Sequence, residues 1–407
     1  MSSIVLYRSE APTPGVPPSK KQLLSAGLDH DESRLLRRLI FYGFALRAVL
    51  AVALDWSGYS LRLAPDEETY AVNGWQMALY WTGELLLKPW WVTSPQPLGY
   101  FYINAAFFYI FGNTQIPLKL INGLVGAYSV RYVYLLSRDL FGTGVARRAA
   151  ILFEFLPSLI LWSALNIRDV WVIYLILLVS WKSLQVVRGY SHLGLVTGIG
   201  AALLLALFRD YLFYVVALPP LAALLIGRSD RLGRNFVLAL VGGLVLLMLV
   251  QHSGVGEGAA TRMSLEAISK VRQDMATGGS AFHENVDIST PGRAIAFLPI
   301  GVAYFLFSPF PWQITSVLKA LSVPEMVLIY FLTPAMLRGI QHTIRVRLRE
   351  SLQVVLLTTL LTVSYALGEG NVGTLYRHRA QAIAFYLIFA SVGVEISRSR
   401  AVQQAGA

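Results

Sequence analysis

Cysteine is absent from the 407 residues, which removes disulfides, thiolate nucleophiles and cysteine-ligated metals from consideration. Charge is scarce as well: Asp, Glu, Lys and Arg make up 14% of the chain against 55% hydrophobic residues, and the mean hydropathy is +0.56. A soluble domain of this length would carry far more charge, so a bilayer is the natural solvent. Also missing are a Walker A loop, an HExxH zinc motif and a dinucleotide fingerprint, which argues against ATP-driven transport by this chain alone. No internal repeat is visible, and the long Leu/Val/Ala runs lack the two-residue alternation of a membrane barrel. Lipid cannot hydrogen-bond exposed backbone, so the runs are expected to be helices. The formal charge of +11 does not mark a nucleic-acid binder, because Lys and Arg sit at the ends of apolar runs and not on one basic face.

Apolar runs at residues 39–54, 117–137, 148–163, 170–187, 192–208, 211–227, 236–251, 322–340, 351–367 and 380–396 predict an all-α polytopic integral membrane protein. That makes about ten transmembrane helices, with flanking Trp, Tyr and Arg completing the shorter ones. The short segments 138–148, 182–191 and 228–235 hold Arg138, Arg147, Arg148, Lys182, Arg188, Arg228, Arg231 and Arg234, whereas the intervening turns hold only Arg168 and Arg209. The positive-inside bias keeps those eight cations in the cytoplasm if 98–112 and 294–312 are aromatic-rich interfacial helices and not spans. The expected organisation is a cytoplasmic arm at 1–36, one transmembrane domain at 37–397 and a cytoplasmic tail at 398–407. Its exported parts are a first loop at 55–116, a segment at 252–321 with a short helix from Ser264 to Ala276, and a last loop at 368–379.

Polar groups at a membrane boundary need water, a partner or a task. The first such group is APDEETY, Ala64 to Tyr70, where Pro65 suits a first helical turn and Asp66, Glu67 and Glu68 face the positive end of the helix dipole. Capping alone accounts for three acids there. The functional alternative is a general base plus a metal ligand, divided between Asp66 and Glu67, because adjacent helical side chains point about 100° apart. NIRD, Asn166 to Asp169, lies in another exported turn: Asp169 is either an N-cap or a group that orients an acceptor, and Arg168 is adjacent. Phe208-Arg209-Asp210-Tyr211 repeats that chemistry at a further turn. In GEGNVGTLYRHR, Gly368 to Arg379, three glycines and an asparagine allow a sharp turn, and Arg377, His378 and Arg379 gather positive charge against the usual bias. Arginine forks match phosphate, so a lipid phosphate or pyrophosphate is the specific ligand expected, with His378 as a hydrogen-bond partner; ordinary pairing with outer acids such as Glu369, or headgroup binding, is the alternative. Arg47, inside the first run, must snorkel or pair within the bundle. SPFPWQ, Ser308 to Gln313, breaks a helix and sets Trp312 at an interface.

In order and placement, residues 39–210 resemble the GT-C superfamily of membrane glycosyltransferases, above all its protein mannosyltransferase-like and aminoarabinose transferase-like branches. The features that carry the likeness are a first span, PDEETY, an interfacial helix ending in Phe111-Gly112, a span ending in YLLSRDLFG, and SALNIRD. The resemblance implies that Asp66 or Glu67 acts as base or metal-associated carboxylate and that Asp169 supplies a second acid. It implies a polyprenyl-phosphate-linked sugar as donor, an acceptor glycan, lipid or protein, and transfer at the outer face of a bacterial inner membrane, with a divalent metal ion as a candidate cofactor held by Glu67. Tyr70, Arg168, Arg377, His378 and Arg379 form the expected substrate-binding set. SPFPWQ and NVGTLYRHR are similar to segments of membrane proteins linked to bacterial polysaccharide production. Competing readings are a polysaccharide polymerase or ligase using lipid-pyrophosphate-linked glycans, which would rely on Arg and His more than on acids, and a non-enzymatic lipid-linked sugar flippase.

Overall fold

A computed structural model describes residues 28–93, 98–188, 192–226, 264–276, 280–314 and 317–405. The described chain is helical, with a single isolated bridge between Ala281 and Asn371 in place of a sheet. The longer helices are α1 (His30–Trp56), α2 (Asp66–Thr82), α3 (Gly99–Phe111), α4 (Ile116–Phe141), α5 (Thr143–Glu154), α6 (Pro157–Ser163), α7 (Asp169–Arg188), α8 (His192–Ala206), α9 (Asp210–Ile226), α10 (Leu265–Met275), α11 (Pro291–Phe307), α12 (Val323–Val346), α13 (Leu348–Gly368) and α14 (Val372–Ala405).

Among the described residues, five helices are long and apolar enough to cross a membrane: α1, α7, α12, α13 and α14. They coincide with five of the runs read from the sequence. The run 117–137 lies within the 26-residue α4, and 192–208 and 211–227 fall on the shorter apolar helices α8 and α9. The run 148–163 is not one helix: the ring of Pro157 cannot continue a helix interior, so α5 ends at Glu154 and α6 starts with Pro157 in its first turn. The run 236–251 lies outside the described residues. At about 1.5 Å per residue, α3 and α11 are about 20 and 26 Å long, short of the roughly 30 Å hydrocarbon layer.

Domain edges differ from expectation for local reasons. Most of the 1–36 arm lies outside the described residues, and α1 already begins at His30, where Asp29 and Glu32 form a reciprocal capping box. The interval 55–116 contains α2 and α3. The 252–321 segment contains α10, capped by Ser264, and α11. Only Glu369–Asn371 separates α13 from α14, so the 368–379 stretch is mostly helix and not a loop. Helix α14 continues without a break through residue 398 to Ala405, so the described part of the 398–407 tail is helical.

Helix α14 runs through the core, with Ala380 to Val392 buried against its neighbours. Its crossing with α12 is backbone to backbone: a Cβ on Gly339 would collide with the carbonyl of Phe389, and one on Gly393 with that of Ala335. On another side of the bundle Arg47 finds the partner it needs. Its guanidinium, fully buried, donates to Glu154 Oε1 at 2.5 Å and to Ser163 Oγ at 2.9 Å, tying α1 to both halves of the broken α5–α6 run. Charged contacts also mark one end of the bundle, where Arg138 pairs with Glu32, Arg148 with Glu395, and Arg188 donates to the carbonyl of Asp139. At the opposite end, the turns preceding α2, α7, α9 and α14 meet.

Candidate functional site

Each of these four turns delivers a charged side chain because a helix begins there. Pro65 precedes α2 and places Asp66, Glu67 and Glu68 in its first turn. Asp169 opens α7, Arg209 immediately precedes α9, and Arg377, His378 and Gln381 occupy the early turns of α14.

Asp169 is the hub. It is fully buried, and its Oδ2 accepts from Arg377 Nε at 2.7 Å and pairs with Nη2 at 2.5 Å. Its Oδ1 accepts from Arg209 Nη2 at 3.0 Å and Gln381 Nε2 at 3.3 Å. Both oxygens are therefore saturated by cations and an amide, which makes Asp169 a counter-ion for two arginines and leaves it no lone pair aimed at solvent. Arg377 reaches outward as well, donating from Nη1 to Asp66 Oδ2 at 2.7 Å. The exposures differ sharply along this bridge: the side chain of Asp66 is 55% exposed, that of Arg377 11% and that of Asp169 0%.

His378 lies 2.7 Å, through Nε2, from Arg209 Nη2, and its Nδ1 is bonded to Glu369 Oε1. A guanidinium only donates, so Nε2 accepts and the proton resides on Nδ1, from which it is donated to Glu369. The histidine is thus a neutral connector with both ring nitrogens engaged. Glu369 is fully buried; burial pushes its carboxyl upward, but His378, Thr374 and Arg209 outweigh that and hold it below the ordinary carboxylate value. Arg209 also donates to Tyr211 Oη at 2.9 Å, and Tyr365 Oη donates to Gln381, closing a polar ring around Asp169.

Glu67 faces the other way from Asp66. It is fully buried, its Oε1 accepts from the backbone N–H of Asn166 at 2.5 Å, and its Oε2 lies 3.3 Å from Lys119 Nζ. Lys119 also donates to Asp55 at 2.9 Å. Around Asn166, the side chains of Tyr100, Asn104, Gln115 and Asn122 form a hydrogen-bonded scaffold that fixes the turn delivering Asp169. Tyr70 packs edge-on against Tyr100 with ring centroids 4.9 Å apart; burial raises its phenol above the ordinary value, so it stays protonated. Arg168 donates to the carbonyl of Phe208 at 2.9 Å and lies close enough to Tyr70 to act on its charge.

Arg379 does not join the cluster. Two residues beyond Arg377 on the same helix, it is rotated by about 200° and points to the opposite face. There it is buried, 3.5 Å from Glu325, donating to the carbonyls of Ser308 and Leu306. Its work is to tie α14 to α12 and to the SPFPWQ bend. The metal-ligand role expected of Glu67 has a competitor: the N–H of Asn166 holds Oε1, and Oε2, which accepts no hydrogen bond, faces the Lys119 ammonium across 3.3 Å. Asp169 is similarly occupied. Among the described residues, no group of three or more His, Asp or Glu side chains that could hold a metal ion occurs.

The structure therefore brings together Asp66, Asp169, Arg377 and His378, with Tyr70 and Arg168 at the edge. Sequence reading gave Arg209 little weight and missed Gln381. Gln381 had a signal, since it lies four residues after Arg377 and three after His378, once the stretch is recognised as helical. Lys119, the partner of Glu67, had none.

This is an all-helical membrane protein with a buried acid–arginine network at one end of its bundle. Residues 95–253 match the family model described as dolichyl-phosphate-mannose-protein mannosyltransferase, which supports a GT-C-type membrane glycosyltransferase. The matched stretch holds Asp169 and Arg209 but covers less than half of the chain, and Asp66 and Arg377 lie outside it. A comparison with curated proteins finds no match.

Proposed function

We propose that the chain transfers a sugar from a polyprenyl-phosphate donor to a hydroxyl or amine acceptor, at the outer face of a bacterial inner membrane, with Asp66 as general base and Arg377 as the principal phosphate-binding group. The observation that carries this reading is the division among the acids: Glu67 and Asp169 are fully buried and each paired with a cation inside the protein, whereas Asp66 is half exposed beside the largely buried Arg377. Of these three, Asp66 is the one open to a substrate, and unlike the exposed Glu68 it is joined to Arg377. In the transfer step the acceptor O–H or N–H gives its proton to Asp66, and the acceptor atom bonds to the anomeric carbon. The bond from that carbon to the phosphate oxygen breaks, with its electron pair passing to the oxygen. Negative charge grows on the departing lipid phosphate, where Arg377, with Arg168 nearby, opposes it. Arg209 and His378 act indirectly, by holding Asp169 and thus the orientation of Arg377. No step is assigned to a divalent ion.

Charge bias supports the outer face: the opposite end of the bundle carries Arg138, Arg148 and Arg188, as expected of a cytoplasmic side, and both termini are assigned to that side on the same ground. A panel of purified polyprenyl-phosphate sugars tests the reading. Wild-type protein should release the polyprenyl phosphate with transfer to an added acceptor from at least one donor, and absence of release across mono-phosphate donors would reject it.

A further inference from the structure

The bridge from Asp66 through Arg377 to Asp169 is unequal in strength at its two ends. On the Asp169 side, Nε and Nη2 converge on a carboxylate with no solvent exposure, and parting them would strand buried charge. On the Asp66 side a single Nη1 bond meets a carboxylate that is 55% exposed, the kind of pair that contributes little and that another anion can replace. The charges count the same way. Arg168, Arg209 and Arg377 supply three positive charges; Asp66, Asp169 and Glu369 supply three negative ones; and His378 is neutral by its bonding. The cluster balances only while Asp66 is in it.

Resting on the transferase reading above, we propose that Asp66 occupies the anion subsite of Arg377 as a stand-in, that a phosphodiester monoanion displaces it, and that this displacement is what frees the base. The site then carries one uncompensated positive charge when Asp66 swings away, matching the single charge of a sugar phosphodiester. Before the donor arrives, Oδ2 of Asp66 is held by Arg377 and is a poor proton acceptor. Once the diester takes Nη1, the carboxylate is released beside the anomeric carbon. Donor binding therefore precedes productive acceptor binding, and an acceptor arriving first meets a masked base.

Full-length protein in detergent or nanodiscs tests this with farnesyl methyl phosphodiester as the probe, followed by tryptophan fluorescence or calorimetry. Removing the competing carboxylate in Asp66→Asn should tighten probe binding by about 3- to 10-fold over wild type. Glu68→Gln, which makes the same charge change one residue away without touching Arg377, should shift it by less than about 2-fold. Unchanged or weaker binding by Asp66→Asn, an equal gain in Glu68→Gln, or no binding to any form overturns the proposal. Its failure is separable from that of the transferase reading. Sugar transfer by wild type without tighter binding by Asp66→Asn removes the stand-in role alone, whereas tighter binding without transfer from any donor removes the transferase assignment alone.

Discussion

Replacing Asp169 by Asn keeps the size and hydrogen-bonding shape of the side chain while deleting the charge that two arginines share. Arg209 and Arg377 would remain buried with side-chain exposures of 7% and 11%, facing a neutral amide that also turns one NH₂ group toward a guanidinium. Breaking a buried pair by removing one partner costs about 3–5 kcal/mol, and here Asp66 and Glu369 offset only a fraction. At about 1.4 kcal/mol per decade, the ratio of folded to unfolded protein should fall by about two to three and a half powers of ten. Mixed-micelle unfolding with increasing SDS, monitored by tryptophan fluorescence, measures this. Asp66→Asn, which loses one exposed bond, should differ from wild type by no more than about 1 kcal/mol in the same assay. If Asp169→Asn proves as mild as Asp66→Asn, the account of Asp169 as the buried hub of the site is wrong.

Arg47→Met should cost about 3–5 kcal/mol by stranding Glu154, and the double variant Arg47→Met/Glu154→Leu should recover most of it; a double variant no better than the single would refute the pairing argument. Glu67→Gln should destabilise the fold, by loosening Lys119 and the Asn166 turn, yet keep measurable transfer once folded protein is recovered, whereas Asp66→Asn should show the reverse pattern. Acidification should distinguish Glu369→Gln from wild type. The carboxyl is held below its unfolded value of 4.5, so its ionised form stabilises the fold above that pH, and the contribution disappears as pH falls through the lower folded value. The stability gap between wild type and Glu369→Gln should accordingly be full near pH 7 and close in acid; a gap that widens on acidification would contradict the sign.

The segments that build the site were legible because charge at the ends of apolar runs stands out against so hydrophobic a chain. Asp66, Asp169, Arg377 and His378 lie on three such segments, and the fold gathers them at one end of the bundle. Adjacent residues were harder to separate. Asp66 and Glu67 read as one acidic patch, and Arg377 to Arg379 as one basic turn, until helical phase sends Glu67 to Lys119 and Arg379 to Glu325. Glycines had suggested a loop at 368–379, but Gly368 ends α13 and Gly370 lies inside a break of only three residues. Close packing is the reason at Gly370, where a Cβ would strike the carbonyl of Arg272. Arg272 itself, buried between the rings of Phe282 and Phe297 and donating to the carbonyl of Glu369, clamps the turn that leads into α14. Nothing local in the sequence announces that contact, because its partners are separated by about a hundred residues.

Purified wild type and Asp66→Asn, both confirmed as folded, should be compared for release of polyprenyl phosphate from a donor that the wild type accepts, in single-turnover conditions with saturating donor. Loss of the general base predicts a rate at least about 100-fold lower for Asp66→Asn with donor still bound. A wild-type rate in that variant would contradict the assignment of Asp66 as the base.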